Sequence, residues 1–231
     1  MVQPTKTSST KQAAKDTGAS GKTTKTNTLV VSGAYMEILI GGPYTHNGVD
    51  QPFGHAAIHV VVGNKNITYD FGRYGDVWGP FDSEGEAVLN VWSNFKAYVA
   101  SEKSLGRTTT GFVYFLENSK AEAVIAHYDQ LVSTKVKIKK TTDNYVRYLL
   151  PGSYLPTTNN CTTVSLEGAK VTGKKIVSEP SKYMELRGLS WEKKIASKTQ
   201  ARTADGIFMP MDVQAMLEGN TEARYDKKNV Y

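Results

Sequence analysis

The chain's single cysteine, Cys161, stands in the polar stretch Asn159-Asn160-Cys161-Thr162-Thr163-Val164. Asn is favoured at a helix start, so Asn159-Asn160 predicts a helix over about Cys161–Lys170. A thiol in the first turn of a helix faces unpaired N–H groups and the positive end of the helix dipole, and both favour the thiolate. The same N–H groups can receive the oxyanion that forms when a carbonyl is attacked. Val164, Ser165, Gly168 and Ala169 make a small-residue face suited to close packing under a sheet. The competing role for Cys161 is that of a small buried hydrophobe, and its polar surroundings weigh against that role.

A thiol nucleophile needs a base, and a base needs a partner that fixes its tautomer. His55 opens the apolar run Phe53-Gly54-His55-Ala56-Ala57-Ile58-His59-Val60-Val61-Val62, which reads as a buried strand. Side chains alternate along a strand, so His55, Ala57 and His59 share a face. His59 is therefore the local competitor, with a hydrogen-bonded core or edge histidine as its structural role. His46 falls in a loop. His127 lies off the apolar stripe of a helix and is expected to be solvated. Asp70, in Tyr69-Asp70-Phe71-Gly72, lies on the returning strand, roughly opposite Ile58–His59 and one strand step from His55. A strand-end cap or a salt bridge to Arg73 is the alternative for Asp70. A metal site built on His55 and His59 lacks a third ligand of suitable spacing, and one cysteine excludes a disulfide framework or a multi-cysteine cluster. No cofactor or metal is expected.

The elements that would position these groups follow from patterning. Leu29-Val30-Val31 and Tyr35–Ile40 read as strands closed by Gly41-Gly42-Pro43. Gly63-Asn64-Lys65-Asn66 reads as a hairpin turn, with Ile67–Phe71 as the partner strand. A helix or strand is expected near Glu86–Val99, and Gly111–Leu116 reads as a strand. Ser119-Lys120-Ala121-Glu122 has the pattern of a capping box. Ala121, Val124, Ile125, Tyr128, Leu131 and Val132 then recur at helical spacing. A short helix is expected near Met211–Leu217, and no internal repeat is present. The segment Gly72–Phe81, with Tyr74, Trp78 and Phe81, could line a groove or pack in the core.

Thirteen Tyr, seven Phe and three Trp among 231 residues suffice for a real core. No run of about 18 apolar residues is present, so no transmembrane helix is expected. The net charge is +6, but Lys6, Lys11, Lys15, Lys22 and Lys25 against Asp16 place four of the six excess charges in residues 1–28. That segment has no aromatic residue and is expected to be a disordered basic tail without a signal peptide's apolar region. The nearly neutral remainder carries no zinc-finger or RNA-recognition signature, so no nucleic-acid partner is expected. Residues 29–231 are expected to form one domain, with a core over about 35–172 and an extension over 173–231.

The stretches Phe53–Ile58 and Asn159–Val164, with His preceding Cys by about a hundred residues, resemble the circularly permuted papain-like group. That group includes permuted NlpC/P60 hydrolases, lecithin–retinol acyltransferase-like proteins and PPPDE deSUMOylating peptidases. The resemblance implies an α+β fold with a central antiparallel sheet packed against helices. It implies Cys161 as nucleophile, His55 as base and a polar third member, for which Asp70 is the best match. A signal-less chain with a loose polar tail is similar to cell-wall-cleaving type VI secretion effectors. The expected function is thus a cysteine amidase or endopeptidase acting on peptidoglycan stem peptides. An acyltransferase, thioesterase or deconjugating peptidase on the same core is the alternative. Such an effector would be made in the bacterial cytoplasm and act in the periplasm of a target cell. It is expected to be a monomer, with an immunity protein and a secretion-machinery carrier as partners.

Overall fold

The apolar runs become neighbouring strands of one antiparallel sheet. The computed structural model describes residues 33–46, 49–79, 83–133, 136–187, 189, 194 and 207–231. The expected tail over residues 1–28 and the strand at Leu29–Val31 lie outside the described residues. The strands are β1 (Ala34–Gly41), β2 (Tyr44–His46), β3 (Val49–Gln51), β4 (His55–Val62), β5 (Lys65–Gly72), β6 (Val77–Trp78) and β7 (Glu84–Trp92). Then come β8 (Thr109–Leu116), β9 (Lys137–Thr141), β10 (Tyr145–Tyr154) and β11 (Lys227–Val230). The helices are α1 (Phe95–Ser104), α2 (Asn118–Leu131), α3 (Cys161–Lys170) and α4 (Pro210–Gly219). The sheet runs β11-β8-β1-β4-β5-β7-β10-β9, with β6 added on β7, and β2-β3 form a separate hairpin.

This is an α+β architecture with a central antiparallel sheet. Its middle strands β1 and β4 are buried on both faces, which explains why they read as unbroken apolar runs. Ile38, Ile40, Ala56, Ile58 and Val60 meet Val124 and Tyr128 of α2, Val164 and Ala169 of α3, and Val213 and Met216 of α4. Leu39, Ala57 and Trp92 turn the other way, onto Tyr98 of α1. The small face of α3 lets it sit close to its neighbours. A Cβ on Gly168 would lie 2.4 Å from the Tyr128 hydroxyl, which itself donates to the Val164 carbonyl at 3.0 Å.

Several elements differ from their sequence expectation. The β4–β5 turn is shorter, because Val62 pairs with Lys65 and only Gly63-Asn64 is left to turn. Gly63 supplies the positive φ (58°) that a two-residue hairpin with glycine in first position uses. The Ser119–Glu122 capping box does not form. α2 begins at Asn118 after Glu117, so Ser119 already lies inside the helix. The Glu86–Val99 region holds both expected elements in succession, β7 and then α1. His127 is half-buried rather than solvated, edge-on to Tyr128 at 5.1 Å between ring centres.

Candidate active site

α3 begins at Cys161 because Asn160 caps it reciprocally with Thr163. The Thr163 N–H donates to Asn160 Oδ1 at 2.9 Å, and the Asn160 N–H donates to Thr163 Oγ1 at 2.9 Å. The Asn160 amide also donates to the carbonyls of Pro156 (2.5 Å) and Phe208 (3.0 Å), so the cap is anchored to loops on two sides. Cys161 is thus fixed at the first helical position, buried at 4% exposure.

His55 is the first residue of β4. The preceding Gly54 is needed there, since its φ is 69° and a Cβ would lie 2.6 Å from the Gly41 carbonyl oxygen. His55 Nε2 meets Asp70 Oδ1 at 2.6 Å. The His55 ring and the backbone N–H of Ala56 lie close enough to the Cys161 sulfur to favour its thiolate. With Nε2 held by Asp70, Nδ1 is the ring nitrogen left for the sulfur.

Asp70 is buried at 2% exposure and answers four donors. Besides His55 these are the Tyr74 hydroxyl on Oδ1 (2.7 Å), Asn90 Nδ2 on Oδ2 (3.2 Å) and Trp92 Nε1 on Oδ2 (3.3 Å). Asn90 cannot reverse its amide freely, because Arg147 Nε donates to its Oδ1 at 2.7 Å. Cross-strand pairing explains the row: Asp70 stands opposite Asn90, and Asn90 opposite Arg147. A chain of hydrogen bonds therefore runs from β10 through β7 and β5 to the imidazole.

Burial alone would push the Cys161 thiol up, but the His55 hydrogen bond and charge, with Ala56 N–H and Tyr154, hold its pKa below the ordinary value. Burial also opposes a charged His55, yet the Asp70 carboxylate, and after it Cys161, pushes its pKa up to about 10. Asp70 is held low against its own burial by His55 first, then by Tyr74 and Asn90. All three shifts favour a thiolate–imidazolium pair backed by a carboxylate.

Tyr154, the last residue of β10, places its hydroxyl 3.8 Å from Cys161 Sγ. A cavity of about 320 Å³ opens over the sulfur, lined among others by His55, Tyr74, Tyr154 and Met209. Within Gly72–Phe81, the residues Gly72, Arg73, Tyr74 and Val77 line it; Trp78 is exposed, and Phe81 lies outside the described residues.

The structure brings Cys161, His55 and Asp70 together. His59 is engaged elsewhere, with Nδ1 at 3.3 Å from Glu37 and Nε2 at 2.9 Å from Asn66. The alternative Asp70–Arg73 pairing does not form; Arg73 instead lies over the Tyr154 ring. Among the described residues, no group of three His, Cys, Asp or Glu side chains is arranged to hold a metal, and no helix is long and apolar enough to cross a membrane. Tyr154, Asn90, Trp92 and Arg147 belong to the site but were not visible as site residues in the sequence, since each arrives by long-range strand pairing or at a strand end.

Fold and site together describe an α+β protein that presents a Cys–His–Asp constellation where a strand end meets a helix N-terminus. No protein-family model and no curated protein matches the chain. Among solved structures it is similar to the crystal structure of the type VI secretion system effector TseH. The likeness is at 13% identity with a TM-score of 0.43, covering 86% of this chain and 98% of that one.

Proposed function

We propose that this protein is a cysteine hydrolase, an amidase or endopeptidase, with Cys161 as nucleophile, His55 as general base and acid, and Asp70 as the group that orients His55. One observation carries the reading. The sole cysteine lies at a capped helix start and lines one cavity with a histidine that lowers the thiol pKa and whose Nε2 is held at 2.6 Å by a buried, four-fold hydrogen-bonded carboxylate. The Cys161 sulfur attacks the carbonyl carbon of a scissile amide, and the carbonyl oxygen takes the negative charge. The Tyr154 O–H, 3.8 Å from the sulfur, is placed to donate to that oxygen. Collapse expels the amine, which takes its proton from His55, and leaves a thioester. Water then gives a proton to His55 while attacking the thioester carbon, which releases the acid and the thiolate.

The substrate assignment, peptidoglycan stem peptides, extends the resemblance carried by Phe53–Ile58 and Asn159–Val164. So does the proposed role as an exported antibacterial effector that acts in the target periplasm and is opposed by an immunity protein. Acyl transfer, thioester hydrolysis and deconjugation use the same first step and differ in the acyl group and its acceptor.

The test is to incubate purified protein with peptidoglycan sacculi and identify the products by mass spectrometry. New amine and carboxyl ends are expected with the wild type and none with Cys161→Ala. Intact sacculi with wild-type protein would remove the substrate assignment. Undiminished cleavage by Cys161→Ala would remove the cysteine mechanism.

A further inference from the structure

The cavity over Cys161 has an uneven charge. Two arginines, Arg73 and Arg107, line it, and no carboxylate does so among the described lining residues. Arg107 is already answered: its Nη1 meets Glu102 at 2.5 Å, and its guanidinium lies 4.5 Å from the centre of the Tyr44 ring. Arg73 is not. It is half-buried, and no carboxylate among the described residues pairs with it. Its guanidinium carbon lies 5.7 Å from the centre of the Tyr154 ring. No hydrogen bond among the described residues uses its N–H donors, which stay open to a ligand. The same Tyr154 ring ends in the hydroxyl 3.8 Å from Cys161 Sγ, so the open cation stands one aromatic ring away from the nucleophile.

We infer that Arg73 forms an anion subsite that receives a free carboxylate of the substrate, within a residue or two of the bond Cys161 attacks. This rests on the reading of Cys161 as a nucleophile. A planar fork of donors matches a carboxylate in two-point fashion, and a partly desolvated cation with no internal counter-ion gains most from a ligand that brings one. The carboxylate has two sources in a peptide: the terminus itself, or an acidic residue within the chain. Arg73 is thus the specificity-determining cation, and Arg107, neutralised by Glu102, shapes the wall.

The experiment uses the tetrapeptide L-Ala-γ-D-Glu-L-Lys-D-Ala in four forms: both carboxyls free, either one amidated, and both amidated. Binding of each to the full-length Cys161→Ala variant is measured by calorimetry, and turnover of each by the wild type is followed by mass spectrometry. Cys161→Ala is expected to bind the diacid at least about 10-fold more tightly than the diamide, a difference of about 1.4 kcal/mol. The two mono-amides show which carboxyl is received. Adding Arg73→Gln is expected to bring the four affinities together, and Arg73→Lys to keep part of the preference. Equal binding of diacid and diamide, no binding of any form, or a preference that survives Arg73→Gln each overturns the subsite. The first of these is read with Arg73 in place and so does not depend on whether a variant folds. The two readings fail separately. Wild-type cleavage without acid preference sinks only the subsite, and acid preference without cleavage sinks only the hydrolase.

Discussion

Replacing Asp70 by Asn tests the site more sharply than removing the nucleophile, because shape is kept and only charge and donor pattern change. Four donors converge on two carboxylate oxygens: His55 and Tyr74 on Oδ1, Asn90 and Trp92 on Oδ2. An amide offers one oxygen. Trp92 can only donate, and Asn90 is held with its amide nitrogen toward residue 70 by Arg147. The new oxygen is therefore expected on the Oδ2 side, with the new NH2 facing His55 Nε2. His55 must then accept at Nε2 and carry its proton on Nδ1, the nitrogen needed to take the thiol proton. The raised His55 pKa of about 10 owes its largest upward contribution to Asp70, so it falls back toward or below 6.5 and the thiol pKa rises. Breaking a buried charge pair costs about 3–5 kcal/mol. At about 2–4 °C per kcal/mol for a body of this size, Tm drops by roughly 6–20 °C. The rate is expected to fall about 10⁴-fold, the scale of amide-for-carboxylate replacement in triads. Because Cys161 is the only cysteine, iodoacetamide alkylation against pH reports its ionisation without interference. The expected profile for Asp70→Asn is displaced to higher pH than that of the wild type. Superimposable profiles with activity within 10-fold would refute the reasoning.

Three further outcomes follow from the same geometry. His55, with its folded pKa raised from 6.5 to about 10, contributes stability that is full below 6.5 and lost as pH rises through about 10. Cys161, lowered from 9.0, contributes stability that is full above 9.0 and lost as pH falls through its folded value. With the thiol removed, denaturant titration above pH 6.5 should show Cys161→Ala losing up to about 1.4 kcal/mol per pH unit more than Cys161→Ala/Asp70→Asn; parallel curves would contradict this. Gly168→Ala gains about 1 kcal/mol of helix propensity, but its Cβ meets the buried Tyr128, stacked on Tyr69 at 4.1 Å. Overpacking of about 1–3 kcal/mol is expected to win, and a raised Tm would show that Tyr128 yields. His59→Gln is expected to lower Tm by several degrees while kcat of the folded protein stays within about 3-fold, since among the described residues His59 hydrogen-bonds Glu37 and Asn66 and not the site; a large loss of kcat would transfer the role of base to His59.

How much of this was legible in the sequence depended on how local the cause was. α3 was readable to the residue, because Asn160 and Thr163 are three positions apart and cap each other. The β4–β5 hairpin was readable because its turn lies between two apolar runs, and it brought Asp70 near His55. The β10 strand was hidden by Pro151-Gly152, which breaks the usual strand pattern and sits at a register shift between Leu149 and Ser153. β9 and β11 carry no apolar alternation, being exposed edge strands rich in lysine, a composition that discourages further pairing. The Asp70–Asn90–Arg147 row could not be read at all without the pairing of β5, β7 and β10. Residues 20 and 57 positions apart become neighbours only through that register.

The two histidines on one face of β4 show what turns a residue type into a chemical role. Each has a carboxylate: Asp70 for His55, Glu37 for His59. Each is buried, at 7% and 1% exposure. Their difference lies in the second ring nitrogen. His59 has Nδ1 at Glu37 and Nε2 at Asn66, and its face is stacked on Phe95 at 3.9 Å. Glu37 in turn takes donors from Asn229 and Tyr231 beside the β11 edge. Every polar atom of that ring is spent inside the fold, so it fastens β4 to its neighbours and has nothing left to offer a substrate. His55, four residues earlier, lies where β4 begins and the sheet opens into the cavity. One nitrogen is fixed by Asp70 and the other faces Cys161, a group that can leave the contact to form a bond with a ligand. Position along the strand, through what it leaves unoccupied, separates the proposed base from the structural clasp.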